Sequence, residues 1–405
     1  MKKLISTIAT FALTSSAALP LIACSPDDSL KIAFVPSKDA IKVMNIVKPL
    51  EGLLKNKIKE LDPEFNRSVK ITTTTDYQAA GQALQDGKTA LAFLPMGTYI
   101  DYRGRAINPG NYADAAPLVI AQRNAMRPET NNKTSEKRII DTNEQMSIVK
   151  NYNEIAAKGI KSHEDAYKEL YHQTDEHKST SFYRAEIIVN NNFLVREKSK
   201  VDIDHLFDDA TTYKTKIQQL IKDAKAEGKD KIQLLTSNTS GAGVIYPVQW
   251  MLDNGVEKTE IADILKNQSR VESFTAAAQN VANGASDITF GYTDIRADAE
   301  QVKKDYENTT MIGLTSGVPN DGISYSKKAI KDQKLLAAIR EAFKELINDP
   351  KNAEIFDVYS HTDYITPSKD ATPEQAVTWE TEQNDKYNQA TNEIKDAIDL
   401  IKASQ

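Results

Sequence analysis

The sequence predicts a two-lobed α/β fold with mixed sheets, flanking helices, a hinge and a central cleft. Three observations carry this. Its 405 residues exceed one ordinary domain of roughly 100 to 200 residues, so two cores are expected. Short apolar runs alternate with longer amphipathic stretches, which is how βα units read. The alternation runs in two series, separated by a long polar stretch between Arg123 and Ser181.

In the first series, residues 31–36, 69–75, 90–95 and 116–122 are short apolar runs and read as strands. Residues 39–61, 77–85 and 98–103 read as the helices between them. The polar insertion follows at 123–181. Its first part, 127–143, offers too little apolar surface to bury and reads as loop, whereas 144–171 has helical spacing. The second series places strands at 185–190, 231–236 and 287–292, with helices at 203–226, 243–254 and 273–283. A last strand at 311–316 precedes a helix at 328–348, a short helix near Ala353 and a terminal helix over 373–403. The apolar stripe of that last helix is thin (Ala376, Trp379, Ile394, Ala397, Ile398, Ile401), which places it on the outside. Lobe I is therefore expected to comprise 24–181 plus 311–405, including the insertion and the terminal helix, and lobe II 182–310. Two crossings between lobes make a hinge, and ligands of open sheets bind at strand carboxyl ends facing the cleft.

The N-terminus carries its own signal. Lys2 and Lys3 precede an uncharged, mostly apolar stretch from Leu4 to Ile22, and Leu21, Ile22 and Ala23 stand directly before Cys24. These are the parts of an export signal, and they resemble a bacterial lipoprotein signal over 1–23, with Cys24 as the diacylated first residue of the mature chain. An uncleaved helical anchor is the other reading, since about 20 apolar residues span a bilayer; Ser and Thr between positions 6 and 16 weaken it. Either way the working part is expected outside the cytoplasm, held at the cell membrane. With 51 Lys+Arg against 57 Asp+Glu, no basic face is available for nucleic acid. One cysteine excludes an internal disulfide and a cysteine-based zinc site.

Several patterns approach catalytic motifs and fail on spacing. Gly81, Gly87, Lys88 and Thr89 put five residues between glycines where a phosphate loop has four. His163 and Glu164 begin a zinc-protease pattern, but Tyr167 stands where the second histidine is required. Tyr246 occupies the last glycine of a dinucleotide fingerprint begun by Gly241 and Gly243, and Ser316 sits one position off a nucleophile elbow in 313–317. An enzyme is disfavoured. His163, His172 and His177 lie among acidic residues of the insertion; a metal-capturing loop is one reading, and a solvated charged helix is the simpler one. No metal or cofactor is expected.

Residues 234–247 (LLTSNTSGAGVIYP) carry more. A strand ends at Thr236, Ser237, Asn238, Thr239 and Ser240 follow, Gly241 allows close approach, and a helix begins. Hydroxyls and free N–H groups at such a start favour negative charge. Capping needs one hydroxyl, and three stand here within four positions.

This run, with residues 281–287 (VANGASD) leading to Phe290, Gly291, Tyr292 and Asp294, then Pro319, Asp321 and Gly322, resembles the phosphonate and phosphate-ester binding proteins of ABC importers. Residues 31–36 and 94–99 (LPMGTY) fit the same pattern, and the match spans most of 30–350 without the insertion or terminal helix. Phe182, Tyr183 and Arg184 look like the high-affinity transport lipoproteins of wall-less bacteria, a branch associated with thiamine pyrophosphate. The resemblance implies a type II periplasmic-binding-protein-like fold and no catalysis. It implies that Ser237, Thr239, Ser240 and the Gly241 amide hold phosphoryl or phosphonyl oxygens, with Ser37, Thr98 and Tyr99 donating from the opposite lobe. Tyr183 would add a hydroxyl or ring face and Arg184 a bidentate pair, while Asp294 and Tyr292 would face a cationic part of the ligand. Each has a plainer reading: Tyr99 and Tyr292 as core rings, Arg184 as a salt bridge between lobes, Asp294 as a helix cap. The implied partners are an ABC permease and ATPase, the ligand is a phosphonate, phosphate ester or thiamine pyrophosphate, and the chain is expected to be a monomer. A surface adhesin using the insertion, and a phosphohydrolase, are the alternatives.

Overall fold

The computed structural model describes residues 28–35, 40–74, 76–131, 135, 137–171, 179–201, 203–292 and 294–405. The signal segment, Cys24, Ser37, His172 and His177 lie outside these residues.

Along the chain, β1 (Leu30–Phe34), α1 (Ala40–Val47), α2 (Leu50–Leu61), β2 (Val69–Thr73), α3 (Tyr77–Gln85), β3 (Leu91–Leu94) and α4 (Met96–Tyr102) come first. A hairpin of β4 (Ala106–Asn108) and β5 (Asn111–Tyr112) leads into β6 (Ala115–Asn124). The insertion adds α5 (Arg127–Asn131), α6 (Thr142–Ala156), α7 (His163–Ala166) and β7 (Ser179–Thr180), and β8 (Phe182–Tyr183) follows. Next come β9 (Ala185–Asn190), α8 (Asn191–Val201), α9 (Ala210–Glu227), β10 (Ile232–Leu235), α10 (Tyr246–Asp253), α11 (Lys258–Asn267), β11 (Arg270–Val271) and α12 (Phe274–Ala282). Then β12 (Ile288–Tyr292), α13 (Val302–Asn308), β13 (Thr309–Leu314), β14 (Val318–Pro319) and β15 (Gly322–Ser326) lead to α14 (Gln333–Ile347), α15 (Ala353–Asp357) and β16 (Asp363–Ile365). Helices α16 (Pro373–Glu393) and α17 (Lys395–Ala403) end the chain.

Two large sheets form, one per lobe, beside the two-stranded ladders β4–β5 and β8–β14. Lobe I has the order β16-β6-β15-β3-β1-β2, and lobe II has β11-β10-β12-β9-β13. All four residues of β3 and of β10 are buried, as strands covered by helices on both faces must be. The helix expected over 39–61 divides into α1 and α2 at Pro49, which lacks the N–H an uninterrupted helix would use.

Three placements differ from expectation. Strand β13, assigned by its sequence position to lobe I, pairs antiparallel with β9 in the lobe II sheet, so the return crossing follows it. The insertion also joins lobe II: Ile148, Val149 and Tyr152 lie on one face of α6 and pack with Met311 and Leu314 of β13. Gln145 of α6 accepts from the Tyr213 hydroxyl at 2.7 Å and the Trp250 indole at 2.8 Å. The terminal helix breaks at Ile394 and bridges both lobes instead of belonging to lobe I alone. Helix α16 buries Glu380, Asn384 and Tyr387 against lobe I, and α17 inserts Ala397 and Ile401 into the lobe II core.

The crossings lie side by side. In the β8–β14 ladder Tyr183 faces Val318 and Phe182 faces Pro319. Asn320, fully buried, donates from its amide to the carbonyls of Ala121 (2.9 Å) and Thr180 (2.8 Å), tying the return strand to lobe I.

Behind β9, Glu186 is fully buried; one oxygen accepts from the Tyr171 hydroxyl at 3.0 Å and the other has no partner. Burial pushes its carboxyl from 4.5 up to about 7, against Arg296 and the Tyr171 bond, which both pull it down. An acid that holds its proton more tightly when folded stabilises the fold below its unfolded value, and that contribution is lost as pH rises from about 4.5 to about 7. Glu186→Gln is therefore expected to exceed the parent in stability at pH 8, by up to about 3 kcal/mol. The gain vanishes near pH 5, and urea denaturation at the two pH values checks it.

Candidate functional site

The turn after β10 is held by its own backbone. Thr236 N–H donates to Val271 O at 2.9 Å and Ser240 N–H to Ser237 O at 3.0 Å. Residues Gly241–Ile245 then form a wide turn before α10. Ser240 is its cap, accepting from Gly243 N–H at 3.1 Å. Glycine is required at 243, where a Cβ would stand 2.5 Å from Leu235 Cγ and 2.8 Å from the Ser240 hydroxyl. The amides of Gly241 and Ala242 have no hydrogen-bond partner among the described residues. Ser237 Oγ and Thr239 Oγ1 lie 3.1 Å apart, half-buried.

Lobe I meets this turn directly. Gln78, at the start of α3, donates to Thr239 Oγ1 at 3.2 Å, and a Cβ on Gly97 would approach the Thr239 carbonyl to 3.1 Å. Thr98, next along α4, is buried with its hydroxyl unpartnered. Tyr183 reaches the same corner from the hinge: a Cβ on Gly241 would stand 3.8 Å from its hydroxyl.

The structure thus brings together Ser237, Thr239, Ser240, Gly241 and Tyr183, met from lobe I by Gln78 and Gly97; the enclosed Thr98 hydroxyl makes no hydrogen bond with the turn among the described residues. Other expected residues serve the scaffold. Tyr99 is a core ring whose hydroxyl donates to Asn384 at 2.8 Å, fixing α16. Arg184 has no donor pair left for an anion: Nε binds Glu129 at 2.5 Å, Nη1 the carbonyl of Arg138 at 3.0 Å and Nη2 that of Lys137 at 2.7 Å. Asp294 is captured two residues on by Arg296 at 2.9 Å and also accepts from Tyr306 at 2.6 Å and from Tyr152. Tyr292 ends β12 with its hydroxyl on Asp298 at 3.0 Å and its ring edge-on to Phe274. His163 Nδ1 lies 2.9 Å from the Ala297 carbonyl, and among the described residues no cluster suited to a metal occurs.

Sequence reasoning missed the floor of the cleft. Arg123, the last-but-one residue of β6, lays its guanidinium 4.7 Å from the Tyr183 ring centre and pairs with Asp321 at 2.6 Å. His361 Nε2 stands 3.9 Å from the other Asp321 oxygen. Burial opposes both charges of the pair. Asp321 nevertheless raises the Arg123 guanidinium, and Arg123 with His361 holds the Asp321 carboxyl far below the usual range. Burial lowers His361 from its usual value, against the pull of Asp321. The available signal was an arginine closing an apolar strand at one crossing and an aspartate opening the other.

Comparison with known proteins follows the same lines. Residues 156–372, just over half of the chain, match the model of the family described as ABC transporter, phosphonate, periplasmic substrate-binding protein. No curated protein matches the chain significantly. Among solved structures, it is similar to Mh-p37 of Mycoplasma hyorhinis, described as a candidate thiamine pyrophosphate transporter. That match has a TM-score of 0.59 at 15% identity, covering 88% of this chain and 98% of that one. PhnD1 of Prochlorococcus marinus, solved with methylphosphonate, matches with a TM-score of 0.51 at 14% identity, covering 91% and 99%. Both show the two-lobed fold of type II periplasmic binding proteins.

Proposed function

We propose, from the premise that this chain belongs to the family of periplasmic substrate-binding proteins of phosphonate ABC transporters, that its solute is an organic phosphate or phosphonate. The lobes close on this solute and deliver it to a permease and its ATPase. The observation that carries this reading is the turn after β10. There the hydroxyls of Ser237 and Thr239 bond only to each other and to Gln78 of the opposing lobe, and the amides of Gly241 and Ala242 have no partner among the described residues. Each bond to a charged oxygen contributes roughly 1.5 to 3 kcal/mol, so four or five reach the approximately 8 kcal/mol of a micromolar complex. No lysine cluster is needed.

Thiamine pyrophosphate belongs among the candidates, supported by the likeness to Mh-p37 and by the Tyr183 ring between Arg123 and the anion-binding turn. Cys24 is read as the lipid anchor that keeps a monomeric chain at the outer face of the cell membrane. Binding without turnover is the expected chemistry; phosphate release from monoesters would instead favour a phosphohydrolase. Native mass spectrometry of the purified protein tests the reading. A co-purified phosphorus-containing mass supports it; a ligand without phosphorus contradicts it.

A further inference from the structure

The anion-binding turn accounts for one end of a ligand, yet donors are also left over beyond it. Arg123 is 8% exposed and spends Nη2 on Asp321. Nε is fully enclosed without a partner, and Nη1 makes no hydrogen bond among the described residues. Tyr77 and Tyr183 are half-buried, and their hydroxyls bond to nothing among the described residues. The Arg123 guanidinium lies 4.7 Å from the Tyr183 ring centre, and Tyr77 stands next to Gln78, which bonds Thr239 of the anion-binding turn at 3.2 Å; burial raises both phenols and Arg123 lowers them. The three groups come from different places: the end of β6, the start of α3 and the hinge strand β8. Buried donors are normally satisfied, and a guanidinium arm with two phenols beside it matches the geometry of an oxyanion.

We propose that Arg123 Nη1 with the hydroxyls of Tyr77 and Tyr183 forms a second oxyanion subsite, continuous with the Ser237–Gly241 turn, so that the cleft selects ligands bearing two adjacent anionic groups, as a diphosphate does. This deepens the reading above and rests on it. Tyr183 is the link, because its hydroxyl is the one that also borders Gly241. Asp321 does not oppose the second anion outright: it neutralises the other arm of the same guanidinium, and that arm remains bound to it.

Calorimetry with inorganic pyrophosphate and with methylphosphonate tests the subsite. The wild type is expected to bind pyrophosphate at least tenfold more tightly than methylphosphonate, the gain that one or two charge-assisted bonds give. Arg123→Gln removes that preference, its loss of affinity falling at least tenfold more heavily on pyrophosphate than on methylphosphonate. Because this variant leaves Asp321 buried without its partner, Tyr77→Phe is made as well; it deletes only a hydroxyl, keeps the ion pair and lowers the pyrophosphate preference by at least threefold. Equal affinity of the wild type for the two probes, or equal losses for both probes in the variants, overturns the subsite. Ser237→Ala with Thr239→Ala weakens both probes alike, which separates the first subsite from the second. A wild type that binds neither probe overturns the parent reading and the subsite together.

Discussion

A chain carrying Ser237→Ala and Thr239→Ala is expected to bind its phosphorylated ligand at least tenfold, and up to about ten-thousandfold, more weakly than the parent, with its unfolding midpoint unchanged. The two hydroxyls bond to each other and, through Thr239, to Gln78. Neither caps a helix nor supports the core, so half-buried substitutions of this kind cost about 0.5 kcal/mol or less. In the complex each donates to an anionic oxygen, worth roughly 1.5 to 3 kcal/mol, and every 1.4 kcal/mol is about a factor of ten. Ser240→Ala is the contrast. It removes the cap on Gly243 N–H and is expected to lower stability by about 1 kcal/mol. Calorimetric titration and urea denaturation of the three chains separate these effects; a double variant with full affinity would remove the turn from the site.

Arg340→Ala is expected to give the largest loss of stability, about 3 to 5 kcal/mol, because it strands a buried carboxylate. Arg340 and Glu380 form an ion pair, both almost fully buried, between α14 and α16. Arg340 Nε also donates to the Leu118 carbonyl at 3.2 Å, and the Tyr325 hydroxyl to Glu380 at 3.0 Å. Substituting both partners by leucine is expected to recover most of the loss, since the uncompensated charge goes with its partner. The consequence extends to the cleft. Helix α16 lies on lobe I and α17 in the lobe II core, with Ile394 alone between them, so loosening α16 frees an arm that spans both lobes. Hydrogen exchange over 373–393 should accelerate in Arg340→Ala; unchanged exchange and midpoint would show that the pair does not hold the arm.

Much of the fold was legible because its core strands are short apolar runs that neighbouring helices cover, as in β1, β3, β9 and β12. Strand β15 was not. Its sequence GISYS carries two serines, yet it lies between β3 and β6 with every residue buried. Its place comes from ladder bonds on both edges, which leave no periodic trace. Helices α8 and α11 escaped for a related reason: α11 buries only Ile261, Ile264 and Leu265 of ten residues. The insertion looked too polar to pack, but α6 gathers its few apolar residues on one face against β13. At the site, the hydroxyl-rich turn was visible as a local run. Arg123 and Asp321 stand 198 positions apart, and only the parallel course of the two crossings joins them. Arg184 misled because its partner Glu129 is a tertiary contact, whereas Asp294 was already claimed locally by Arg296, two residues on, with Tyr152 and Tyr306 added by the fold.

The most direct test is a crystal structure of the chain with methylphosphonate bound. Phosphonyl oxygens within about 3 Å of Ser237 Oγ, Thr239 Oγ1 and the Gly241 amide are the predicted result. A ligand bound away from this turn, or held there through a metal ion, would contradict the account.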